Sequence, residues 1–166
     1  MKIYLIRHSN AVDPGTSGYE DDSLRPLTEK GRDKMNKIAS ALKRLEVKPN
    51  LIVSSPYVRA RQTAEILAKV LKYKQELTFS DALVPMGNAD NIIGEISEKY
   101  NVDELMFVGH EPCFSTLIGT LTAGDPDLAF NLKNGGVCCL SADNLLTERK
   151  AVLEWLLTPK ILTELA

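Results

Sequence analysis

The apolar runs of this chain are short, and their length limits what it can fold into. Residues 3–6, 51–53, 105–108 and 137–140 are continuously apolar, yet none of these runs exceeds four residues. Such runs suit strands buried on both faces of a parallel sheet. The segments between them are longer and amphipathic. After Thr28, a residue suited to capping a helix, Met35, Ile38, Ala39, Leu42 and Leu45 recur at helical spacing among lysines and arginines, with a stop before Pro49. A second helix is expected over about 56–71, with Ser55 as cap and Pro56 in the first helical position. A third is expected over about 91–100, and a fourth from Pro112.

Strands that alternate with helices imply βαβ units with right-handed crossovers. The expected fold class is therefore α/β, with a mainly parallel central sheet flanked by helices on both faces. Residues 137–140 and about 151–156 are expected to form a hairpin or an edge. With 166 residues, 44% of them hydrophobic, the chain can bury one ordinary core, so residues 1–166 are expected to be a single domain. No repeat, low-complexity tract or linker interrupts the pattern. The one long irregular stretch is 9–27, a length typical of functional lids and also of disordered loops.

The formal net charge of -2 offers no global attraction to nucleic acid or to an anionic membrane, so neither is expected as a partner. A negatively charged substrate would need a local cluster of cations. Cys113, Cys138 and Cys139 are odd in number, and the last two are adjacent, which ordinary disulfide geometry forbids; a reducing compartment is expected. The first apolar run is far short of the roughly 20 residues that span a bilayer and shorter than the apolar region of a signal peptide. The chain is read as cytoplasmic.

In open parallel sheets, ligands bind beyond the carboxyl ends of the strands. Here the first run ends in Arg7 and His8, the second in Ser54 and Ser55 ahead of a helix carrying Arg59, and the third in Gly109 and His110. Both histidines of the protein therefore stand at strand ends on one rim. A lone histidine is usually structural, but two at equivalent strand ends point to a site. Arg61, Glu65 and Lys69 form an i, i+4 ladder of alternating charge, whereas Arg59 shares its stripe with Thr63, Ile66 and Val70. Arg61 is read as solvated and Arg59 as directed at the rim.

Three motifs now carry a resemblance. Arg7, His8 and Ser9 resemble the Arg-His-Gly signature of the histidine phosphatase superfamily, residues 54–64 resemble its second motif, and Gly109, His110, Glu111 and Pro112 resemble its third. Within that superfamily the chain is similar to the compact SixA-type phosphohistidine phosphatases, including the segment 24–28 and, near the end, Trp155 and Pro159. The resemblance implies a phosphoglycerate mutase-like fold and a phosphatase in which His8 is the nucleophile. Arg7, Arg59 and His110 would form the phosphate pocket, with Arg25 as a further member and Ser9 beside the phosphate. Ser9 replaces the family's usual glycine, which matters if the position needs close backbone approach or a positive φ. The physics agrees, because neighbouring arginines keep an imidazole neutral and nucleophilic and can then bind phosphate bidentately. Backbone N–H groups after Ser55 are additional candidate donors.

The implied substrate is a phosphohistidine-containing protein, such as a histidine phosphotransfer domain of a phosphorelay, and the enzyme is expected to act as a monomer in signal transduction. Two alternatives stand beside it: a phosphomonoesterase or mutase-like enzyme acting on a small molecule, and a non-catalytic module that binds phosphorylated partners. Retention of His8 speaks against the last. Alkyl phosphate hydrolysis profits from a general acid. Residues 81–88 have no glutamate where mutase-like relatives place theirs, which leaves Glu111 as the candidate; its other reading is a carboxylate favoured at a helix start.

Two histidines, no Cys-x-x-Cys and no paired-His spacing make a metal site unexpected, and no dinucleotide or Walker loop calls for a cofactor. Cys113 is read as a buried small hydrophobe rather than a reactive thiol. Glu20, Asp21 and Asp22 are read as a solvated loop, or alternatively as a surface that repels acidic ligands or meets a basic partner. Gly135 and Gly136 are expected to make a turn.

Overall fold

A computed structural model describes residues 1–143 and 150–166. Its elements run β1 (Lys2–Arg7), α1 (Glu29–Arg44), β2 (Leu51–Ser54), α2 (Val58–Leu71), β3 (Thr78–Phe79), α3 (Ala89–Lys99), β4 (Glu104–Gly109), α4 (Cys113–Ala123), β5 (Val137–Ser141), β6 (Val152–Leu157) and α5 (Pro159–Glu164), with single 3-10 turns at Asp22–Leu24 and Asp81–Leu83. All four apolar runs are strands. They join in one mixed sheet of order β3-β2-β4-β1-β5-β6. The pairs β3·β2, β2·β4 and β4·β1 are parallel, while β5 runs antiparallel to β1 and β6 antiparallel to β5 at the edge.

Side chains alternate across the sheet, and each face buries its own cluster. Ile3, Leu5, Val53, Leu105, Phe107, Cys138 and Leu140 pack against α3 and α4. Tyr4, Ile6, Ile52, Met106, Val108, Val137 and Cys139 pack against α1, α2 and α5. Apolar side chains on both faces of the middle strands explain why those strands read as unbroken apolar runs. The adjacent Cys138 and Cys139 lie on opposite faces, and all three cysteines are free and buried.

Helix starts follow local chemistry. Thr28 caps α1, its Oγ1 accepting the Gly31 N–H at 3.0 Å. Asn88 caps α3 through the Asp90 N–H at 2.7 Å, which starts that helix two residues earlier than its apolar spacing implies. The expected start of the second helix is corrected. It begins at Val58, with Tyr57 in the cap position and no side-chain cap. Ser55 does not cap it: its hydroxyl lies 3.0 Å from His110 Nε2 and accepts the nearby Tyr57 N–H at 3.3 Å. Among the described residues no helix is long and apolar enough to cross a membrane.

Candidate active site

Strand β4 lies between β1 and β2, and the register pairs Arg7 with Gly109. The residues that follow each strand therefore line up on one rim, and the rings of His8 and His110 come within 4.9 Å, centroid to centroid. The chain ends of β1 and β4 are fastened together there by the His8 N–H, which donates to the Gly109 carbonyl at 3.0 Å. From the other side the Gly135 N–H donates to the carbonyls of Arg7 and His8, at 3.0 and 3.1 Å. Gly135 makes the expected turn with φ +83°, and a Cβ there would come within 2.8 Å of Ile38 Cδ1. Only glycine meets both demands without strain.

The tautomer of His8 follows from its partners. Nδ1 lies 2.7 Å from the Ser9 carbonyl oxygen, which can only accept, so Nδ1 carries the proton. Nε2 then holds a lone pair, and it accepts from Arg59 Nε at 3.3 Å. Burial, opposed by the Ser9 carbonyl and reinforced by Arg59, Arg7 and Arg25, lowers the His8 pKa to about 4. His8 is thus neutral near pH 7 and presents a nucleophilic nitrogen. His110 is lowered further, to about 2, by burial first and then by His8 and the arginines. Its Nε2 meets the Ser55 hydroxyl at 3.0 Å, and the edge of Tyr57 packs against its ring.

Arg59 is 3% exposed, while Arg61 lies at the surface beside Glu65, with Nε 3.5 Å from a carboxylate oxygen. The two arginines face as the helical stripe requires. Arg59 reaches the cleft across the face of Tyr57, with Cζ 5.0 Å from the ring centroid. Thr63, on the same stripe, accepts the Ser9 N–H at 3.2 Å and so ties α2 to the end of β1.

Arg25 also reaches the site. The segment between β1 and α1 folds back through the bridge Ala11↔Leu27 and is pinned to α2 by the Leu27 N–H donating to Gln62 Oε1 at 2.8 Å. This closes the cleft from above. His8, Arg7, Arg25, Arg59, His110 and Glu111 line one cavity of about 420 Å³, together with Asp22, Asn134 and Pro85.

Ser9 is a correction. It is fully buried, its hydroxyl donates to the Gly31 carbonyl at 2.8 Å, and it lies outside the cleft lining. Its φ is not positive, and the side chain points toward α1 where it meets a waiting acceptor. The residue orients His8 through its carbonyl and does not touch the cleft.

The reading of Asp22 as part of a solvated loop is also corrected. Its carboxylate pairs with both Arg59, at 2.8 Å, and Arg25, at 2.6 Å, and it lines the cleft. The Asp22–Arg25 spacing of three residues is the only hint of this in the sequence. Cys113 behaves as the small hydrophobe expected, 3% exposed, with burial pushing its thiol up to about 11.

Among the described residues, the buried side-chain polar atoms without a hydrogen-bond partner are Arg7 Nε, His110 Nδ1 and Glu111 Oε1, and all three residues line this cleft. Buried polar atoms are ordinarily paired, so a concentration of unpaired ones marks a place built for a ligand. Arg7 offers an N–H to an anion, and the half-buried Glu111 carries a carboxyl pKa raised by burial. Among the described residues no group of three or more His, Cys, Asp or Glu could hold a metal ion. The positive charge of this cleft comes from the guanidinium groups of Arg7, Arg25 and Arg59.

The comparisons with known proteins agree with this geometry. The histidine phosphatase superfamily (branch 1) matches residues 3–87. An uncharacterised protein of Picosynechococcus is 32% identical over 82% of both chains. The phosphohistidine phosphatase SixA of Escherichia coli is 28% identical over 75% of this chain and 76% of its own. The solved structure of the protein histidine phosphatase SixA with tungstate superposes with a TM-score of 0.84, at 24% identity, over 98% of this chain and 99% of that one. The buried pair of histidines at the strand ends, the arginines around them and these similarities have one explanation: the chain belongs to the histidine phosphatase superfamily.

Proposed function

We propose that this protein is a phosphohistidine phosphatase acting on a phosphorylated protein partner, such as a histidine phosphotransfer domain. The observation that carries the proposal is the neutral His8 whose unprotonated Nε2 faces the cleft among Arg7, Arg59 and His110, held there by a long 3.3 Å contact from Arg59 Nε. His8 Nε2 bonds to phosphorus as the P–N bond of the substrate breaks, and the departing nitrogen keeps that electron pair, leaving as neutral imidazole because its other ring nitrogen already carries a proton. Water then attacks phospho-His8, releases inorganic phosphate and restores the ring. Arg7 and Arg59 hold the equatorial oxygens, where phosphoryl transfer concentrates charge. No metal is required for that charge, so turnover is expected to survive EDTA.

Similarity to SixA proteins supports phosphohistidine as substrate, and so does leaving-group chemistry. An imidazole whose conjugate acid has a pKa of about 6.5 departs with little help, whereas an alkoxide needs a general acid. One observation favours a second reading, a small-molecule phosphomonoesterase: Glu111 lies in the cleft with an unpartnered oxygen and a raised pKa, as a proton donor would.

Turnover of a phosphohistidine protein, p-nitrophenyl phosphate and 3-phosphoglycerate separates the two. We expect kcat/KM for phosphohistidine to exceed that for alkyl phosphates by about two orders of magnitude, and Glu111→Gln to slow phosphohistidine turnover less than roughly tenfold. Efficient alkyl ester hydrolysis that collapses in Glu111→Gln would establish the second reading.

A further inference from the structure

Asp22 holds the arginine cluster in the way a phosphoryl group would. Its Oδ1 accepts Arg25 Nε at 2.7 Å and lies 2.6 Å from Nη2, a two-pronged contact with one edge of the guanidinium. Its Oδ2 accepts Arg59 Nη2 at 2.8 Å, while the Asp22 carbonyl accepts Nη1 of the same residue at 2.6 Å. Paired N–H donors of this kind are the usual means by which arginine grips carboxylates and phosphates alike. Here the oxyanion they grip belongs to the chain itself.

The three partners differ in freedom. The side chains of Arg59 and Arg25 are 4% and 11% exposed, against 50% for Asp22. Arg59 is held by the His8 ring and Arg25 by the Val12 carbonyl, so both keep anchors that do not involve Asp22. The carboxylate, by contrast, sits half-exposed on a single 3-10 turn in the long connection between β1 and α1. It can leave the arginines without becoming a buried unpaired charge. Its departure leaves paired N–H donors of both arginines open to another anion.

We propose that Asp22 is a specificity-determining residue: an internal anion that occupies Arg25 and Arg59 until a dianionic phosphoryl group displaces it. The inference rests on the phosphatase reading above and adds a selection rule to it. A terminal phosphoryl group brings two negative charges and three oxygens, so exchange for one carboxylate strengthens the pairing of both arginines. A phosphodiester brings a single charge and gains little by the exchange. Asp22 therefore screens the cleft against singly charged anions.

Asp22→Asn tests this, because it keeps the shape of the side chain and removes its charge. Binding of inorganic phosphate and of dimethyl phosphate is measured by calorimetry at pH 8, with KM and kcat for a phosphohistidine protein followed separately. We expect phosphate to bind the variant at least tenfold more tightly, KM to fall with kcat little changed, and dimethyl phosphate to gain measurable binding. Asp22→Ser, at a half-exposed position, serves the same test if the asparagine variant melts early. Unchanged or weaker phosphate binding with lower kcat would overturn the proposal and make Asp22 a brace for the arginines. If the wild-type protein binds no phosphate, the phosphatase reading falls and this inference falls with it. Wild-type binding without a gain in either variant overturns this inference alone.

Discussion

Strands β1 and β4 bring His8 and His110 to the cleft from the middle of the sheet, whereas Arg25 and Asp22 arrive on the connection between β1 and α1. The histidine wall is nearly closed to water, at 8% and 2% exposure, and its shape is set by strand register and by backbone hydrogen bonds to Gly109 and Gly135. The opposite wall is tied by the bridge Ala11↔Leu27, by Gln62 and by the ion pairs of Asp22. Buried polar groups at a rigid rim keep their geometry at the moment of reaction, which is where preorganised catalysis draws its advantage. Contacts made by an exposed carboxylate on a single turn exchange more readily. On the mechanism proposed above, the sheet wall makes the bond and the connection admits the substrate.

The comparison predicts a ranking of losses. His8→Ala removes the attacking atom and is expected to lower kcat by four or more orders of magnitude, as loss of a nucleophile commonly does, with thermal stability nearly unchanged. Acid-labile labelling of the wild type by substrate should map to His8. Substantial residual turnover in the alanine variant would end the covalent mechanism.

Arg59→Ala comes next, at roughly 10²- to 10³-fold in kcat/KM, the usual effect of removing a preorganised donor to developing charge. Arg61→Ala, whose guanidinium pairs with Glu65 at the surface, should stay within about twofold. Equal losses would contradict the two faces of α2. Arg25→Ala on the connection is expected to cost roughly tenfold or somewhat more, the scale of one charge-assisted hydrogen bond, and to do so in KM rather than kcat. A loss confined to kcat would move Arg25 to the bond-making wall.

The smallest effect expected near neutrality is that of pH. An ordinary histidine nucleophile would cost kcat below about pH 6.5, but His8, lowered to about 4, should leave kcat nearly flat down to about pH 4.5, while kcat/KM falls below about pH 6 only as the phosphoryl group becomes singly charged. Stability has the same sign for a separate reason. Between about 6.5 and 4 the unfolded chain binds protons on its histidines that the folded chain refuses, so stability falls as pH falls through that window. Thermal melts of the wild type and of His8→Gln check this, the variant being expected to show a shallower decline.

Local chemistry made much of the fold legible. Continuous apolar runs announced the central strands, Thr28 announced the start of α1, and the stripe of Arg59 and Thr63 announced which face of α2 meets the rim, because strand burial, capping and helical periodicity each act over a few neighbouring residues. Even the expected rim held, since strand ends are where a parallel sheet leaves its crevice. The motif residues Arg7, His8, Arg59 and His110 all reach the cleft, and Arg25 joins them.

What the tertiary structure alone decided are relations between distant segments. The insertion of β4 between β1 and β2, and the pairing of Arg7 with Gly109, bring the histidine rings within 4.9 Å, tilted by 54°, across about a hundred residues of sequence. The hydroxyl of Ser9 turned to Gly31 rather than to phosphate, because α1 passes beneath it with an open carbonyl. Ser55 gave its hydroxyl to His110 instead of capping α2. Asp22 looked like one acid in an exposed acidic run until the connection folded over and brought it onto two buried arginines. In each case the side chain chose among partners that sequence spacing does not reveal, and the choice fell to whichever polar group the packing of the core had already placed within reach.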